Sequence, residues 1–107
     1  MKNLIAALCL TLTPHVANAD MADDLEDLVG YTIAESKTIA GWYDEDGDKG
    51  DSFEGCEHGR TIVFTDDRVL TCAQYGYQFA YRATAVILVK GSSYKMVVED
   101  EIYDMRR

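Results

Sequence analysis

From Asp20 onward, apolar residues first recur at helical spacing and then switch to the short, turn-bounded runs of strands. Over residues 21–30, Leu25, Leu28 and Val29 fall on one helical side among Asp23, Asp24, Glu26 and Asp27, with Gly30 placed as a stop. Acidic residues in the first turn oppose the positive end of the helix dipole. A helix this short is marginal by itself, so its three apolar residues are expected to rest on another element.

Thr, Ile, Val, Tyr and Phe then concentrate between Gly and Asp clusters, the composition of a pleated, half-buried surface. Five strands are expected: 31–43, bent near 35–37 or at Gly41, then 60–65, 68–74, 83–90 and 94–99. Asp66-Asp67 reads as a tight hairpin turn that sets Thr65 opposite Arg68 and therefore Thr61 opposite Cys72. Gly91-Ser92-Ser93 reads as the turn of a second hairpin. The unbroken run Ala85-Val86-Ile87-Leu88-Val89 predicts a central strand covered on both faces. The fold class is mainly β: a small five-stranded antiparallel barrel or curved sheet, with a short N-terminal helix and one disulfide. Closing the sheet would remove edges that aggregate. A helix on an open antiparallel sheet is the alternative.

Residues 1–19 follow a different pattern. Lys2 and Asn3 form a polar start, an apolar run covers 4–12, Pro14 breaks it, and Ala17-Asn18-Ala19 supplies the small residues of a cleavage site. This predicts a cleaved signal peptide at 1–19 and a single β-rich domain at 20–107, periplasmic or secreted. Leu8 stands before Cys9 where a lipoprotein signal wants a small residue, so acylation is not expected. The apolar run is too short to span roughly 30 Å of hydrocarbon, and membrane insertion is not expected. With Cys9 removed, Cys56 and Cys72 are left to pair in an oxidising compartment. A loop of this size removes on the order of 3 kcal/mol of unfolded-state freedom.

Charge narrows the partners. The chain carries 10 Lys and Arg against 19 Asp and Glu; loss of Lys2 with the leader takes the formal charge from −9 to −10. That field repels nucleic-acid phosphates and anionic headgroups and favours a cationic partner such as a basic protein. Net charge also serves solubility alone.

Three clusters of residues carry candidate chemistry. Asp44, Asp46, Asp48 and Asp51 offer oxygen ligands for calcium, in a segment that departs from the EF-hand loop: Lys49 stands at its sixth position and Gly55 at its twelfth. A solvated acidic connection between strands is the plainer reading. Tyr75, Tyr77, Phe79 and Tyr81 recur at every second residue, so an extended chain points all four rings to one side. That row reads either as core closure at one end of the sheet or as a recognition surface, with Gly76 and Ala80 leaving room for backbone approach on the other side. Cys56-Glu57-His58 resembles a nucleophile or metal corner, but both need the free thiolate that a disulfide removes.

The expected function is that of an exported, small, acidic binding module that captures or inhibits a basic partner protein. The row Tyr75, Tyr77, Phe79, Tyr81 would serve as anchor and the acidic field as steering. A calcium-stabilised structural module and a carboxylate-based hydrolase are the alternatives. No catalytic residue stands out by spacing, and no cofactor is expected unless the acidic segment takes calcium.

Overall fold

A computed structural model of the chain describes residues 20–107; the predicted leader and Cys9 lie outside the described residues. Among the described residues, one helix, α1 (Met21–Glu26), precedes seven strands: β1 (Thr32–Tyr43), β2 (Lys49–Gly50), β3 (Thr61–Phe64), β4 (Val69–Cys72), β5 (Thr84–Lys90), β6 (Ser93–Val98) and β7 (Glu101–Arg106). The Asp20 carboxylate caps α1 by accepting from the amides of Ala22 and Asp23. The helix buries no residue, and Leu25 and Val29 remain exposed. Leu25 of the helix and Leu28 just past it line a shallow groove together with Tyr31, Ile33, Val86, Leu88 and Val97.

All strands pair antiparallel in the order β2-β1-β3-β4-β7-β6-β5, and β5 pairs again with β1. The curved sheet therefore returns on itself through β1, whose first half pairs with β5 and whose second half pairs with β3. Two register shifts let one strand serve both, between Ile33 and Glu35 and between Ile39 and Gly41. An extra residue at each place bends the strand. The bends fall near the sites read from sequence.

Seven strands replace the five expected. The one that matters is β7, where Tyr103 and Met105 are buried and alternate with half-buried Ile102 and exposed Asp104 and Arg106. It pairs with β4 and β6 and completes the circuit of the sheet. The first hairpin is also one residue out of the expected register: Phe64, not Thr65, pairs with Arg68, and Thr61 faces Thr71. Asp67 at φ 71° makes the loop three residues long, a type I turn followed by a left-handed residue. The β5–β6 loop is shorter than expected, Gly91-Ser92 between paired Lys90 and Ser93, with Gly91 at φ 60°.

The core gathers Ile39, Phe53, Ile62, Phe64, Met96, Val98 and Tyr103, with the rings of Phe53 and Tyr103 edge to face at 5.6 Å. Cys56 and Cys72 form a disulfide inside it, Cα to Cα 5.6 Å, both side chains essentially buried. A disulfide suits an oxidising compartment. Among the described residues, no helix is long and apolar enough to cross a membrane.

Candidate binding surface

The segment between β4 and β5 carries Tyr75, Tyr77 and Phe79 on an extended ribbon and Tyr81 on the turn that ends it, and its two sides have opposite fates. The outward rings are 69%, 72%, 60% and 69% exposed. The inward positions Gly76, Gln78 and Ala80 press on the core. Gly76 sits tightly there, because a Cβ would lie 3.1 Å from the Tyr103 ring. Gln78 accepts a hydrogen bond from the Tyr103 hydroxyl at 2.7 Å and donates one to the Val98 carbonyl at 3.1 Å. Burial pushes the Tyr103 phenol up to about 12, which keeps it a donor to Gln78. The core-closure reading of the aromatic row is thus corrected. Phe53 and Tyr103 fill that end of the core, and the small inward residues of the ribbon leave its rings no depth to enter.

A second extended segment, residues 53–56, pins the ribbon along one edge. Phe53 exchanges both backbone hydrogen bonds with Ala80, each 2.9 Å, and Cys56 does the same with Gly76 at 2.7 and 2.9 Å. Between them the chain needs Gly55, at φ 87°, because a Cβ there would meet the Gly76 carbonyl at 2.2 Å. The disulfide then ties Cys56 to the end of β4, from which the ribbon departs. Three restraints converge on seven residues: the disulfide, the paired segment and the Gln78 bridge.

Acidic residues occur in both segments that contact the ribbon, although Glu57 is already engaged by Arg60 at 3.4 Å. Asp51, Glu54 and Glu57 belong to the 53–56 segment or flank it. Exposed Glu99 and Asp100 form the β6–β7 turn and exposed Glu101 opens β7, directly after the Val98 carbonyl that Gln78 contacts. An exposed aromatic row on a strongly acidic chain attracts cations twice, through net charge and through the negative face of each ring.

The acidic segment proposed for calcium is the loop of the β1–β2 hairpin, where Tyr43 pairs with Lys49. Its backbone is satisfied internally: the Asp44 amide donates to the Asp48 carbonyl, the Gly47 amide to the Asp44 carbonyl, and the Asp48 amide to the Asp46 carboxylate. Ligand oxygens of Asp44, Asp46 and Asp48 lie within 4.8 Å of one another, while Asp51 stands outside that group. Asp44 already has a cation. The buried Arg60 guanidinium grips both its oxygens at 2.7 and 3.0 Å, stacks 3.8 Å from the Trp42 ring, and reaches the Gly55 carbonyl at 3.3 Å. The Asp44 hydrogen bond pushes the Arg60 pKa upward. Sequence inspection missed Arg60, whose position at the mouth of β3 gave no periodic signal.

Elsewhere, Cys56-Glu57-His58 holds a bonded sulfur and an exposed imidazole, so the corner has no thiolate nucleophile. Lys37 bridges Glu35 and Asp66, and its hydrogen bond holds the Asp66 carboxyl below the usual carboxylate range. A carboxylic general acid needs the opposite shift. No protein-family model, curated protein or solved structure matches the chain.

Proposed function

We propose that the protein is an exported binding module that captures a basic partner protein, with Tyr75, Tyr77, Phe79 and Tyr81 as anchor and the flanking carboxylates as steering groups. One observation supports this above the rest: all four rings stand in solvent on one face of a ribbon whose alternate residues are fixed to the core. Folding gains little from exposing four rings in a row, whereas an interface gains from aromatics with few rotamers to freeze. Inhibition follows where the captured face is a basic enzyme's own working surface. Export to the periplasm or beyond rests on the leader pattern of 1–19 and accords with the disulfide.

The expected outcome is that Tyr77→Ala and Phe79→Ala each weaken retention of basic proteins from native envelope and culture fluid, while thermal unfolding stays near that of the parent. Removing an exposed ring should cost the fold no more than about 0.5 kcal/mol. If both variants retain partners as the parent does, the anchor is elsewhere; if both unfold, the rings serve the core.

A calcium-stabilised structural module is the second reading. It is supported by the proximity of Asp44, Asp46 and Asp48, in a loop whose Asp44 is shared with Arg60.

A further inference from the structure

The ribbon presents more than its rings. In an antiparallel pair, successive residues direct their N–H and C=O groups to opposite edges. Gly76 and Ala80 spend theirs on Cys56 and Phe53. The same groups of Tyr77 and Phe79 therefore point to the other edge. Among the described residues, the amides of Tyr75, Tyr77 and Phe79 donate no hydrogen bond within the protein. These residues are at the surface, 60% exposed or more. The ribbon is thus an extended chain zipped on one side and open on the other, the situation that sheet proteins ordinarily avoid.

We propose that the partner binds by adding an extended basic segment as a strand to this open edge, bonding to the backbone of Tyr77 and Phe79 while its side chains lie along the aromatic face. The occupant is fixed by two features. Its shape is linear, because the extended part of the ribbon from Tyr75 to Ala80 spans about 17 Å at roughly 3.3 Å per residue, the length of five or six extended residues. Its charge is positive, because the chain carries 19 Asp and Glu against 10 Lys and Arg, and exposed Glu99, Asp100 and Glu101 follow directly on Val98, whose carbonyl Gln78 of the ribbon contacts. Lysine or arginine at alternate positions of the added strand would meet rings or carboxylates, while main-chain hydrogen bonds supply affinity that is tolerant of sequence. The restraints described above hold the edge extended before binding, so little ordering remains to be done on this side. This inference rests on the capture of a basic partner through the aromatic row and adds the mode of capture.

The test uses the oxidised protein and a ten-residue peptide alternating lysine and valine. Two counterparts carry N-methyl groups, one on the lysine amides and the other on the valine amides. N-methylation removes the donors along one edge of the peptide and leaves its charges and side chains in place. The parent peptide is expected to bind and to slow hydrogen exchange at the amides of Tyr77 and Phe79. One methylated counterpart, the one blocked along the pairing edge, should bind at least about tenfold more weakly, the loss expected from one or two backbone hydrogen bonds. If both counterparts bind as tightly as the parent, or exchange at Tyr77 and Phe79 does not change on binding, strand addition is overturned and capture by rings and charge survives. If the parent peptide fails to bind, or a neutral linear oligosaccharide binds in its place, both readings fall.

Discussion

Replacing Asp44 with alanine isolates the contribution of the one buried ion pair behind the acidic hairpin. Arg60 keeps only 7% of its side chain in solvent and Asp44 16%, so deletion of the carboxylate strands a guanidinium below the surface. Breaking a buried pair from one side costs about 3–5 kcal/mol. Part of that is recovered, because Arg60 retains the Trp42 face, the Gly55 carbonyl and Glu57 at 3.4 Å. A net loss of about 2–3 kcal/mol follows, or roughly 10–20 °C in melting temperature for a chain of this size. Denaturant unfolding of the oxidised protein measures it. The double variant Asp44→Ala with Arg60→Met removes both charges and should recover to within about 1 kcal/mol of the parent. A single variant that loses less than about 0.5 kcal/mol, or a double variant no better than the single, would refute the claim that Arg60 depends on Asp44.

Two further outcomes are expected from the same neighbourhood and from the floor of the ribbon. The fold favours the neutral Tyr103 phenol, with its pKa raised from 10.0 to about 12, so that contribution is complete below pH 10 and lost as the pH climbs toward 12. One pKa unit corresponds to about 1.4 kcal/mol, and allowing for partial solvent screening the loss is on the order of 1–2 kcal/mol. Unfolding curves of parent and Tyr103→Phe, collected from pH 9 to 12, should converge as the pH rises; parallel curves would show that the hydroxyl contributes nothing. Under the calcium reading, millimolar calcium raises the melting temperature, and Asp46→Asn or Asp48→Asn abolishes the rise. An unchanged melting curve removes that reading and leaves the loop as an acidic turn.

Much of the scaffold was legible because apolar periodicity reports burial directly. The β-rich class, the long bent first strand, the covered run of β5 and the pairing of Cys56 with Cys72 all follow from residue type and spacing. What escaped was decided by charge or by partners distant in sequence. Strand β7 follows directly on the acidic Glu99, Asp100 and Glu101, and only Tyr103 and Met105 carry its buried side, so its apolar alternation is short. The first hairpin slipped by one residue because Asp67 takes a left-handed conformation that only its φ reveals. The aromatic row was recognisable as a one-sided ribbon, yet its facing depended on Tyr103, a residue of the missed strand. Once Tyr103 fills the end of the core, Gly76 and Ala80 become the inward partners and the rings must turn out.

The position of the cross-link has a bearing on when such a surface exists. One sulfur sits on the segment that clamps the ribbon, the other three residues ahead of its first ring. While both remain thiols, nothing covalent holds clamp and ribbon together, and the partner would meet a slack tether that must be straightened at its own entropic expense. Under the proposed capture, oxidation would be the last step of assembly: affinity would be acquired only in thiol-oxidising surroundings, and basic proteins met before that would be spared.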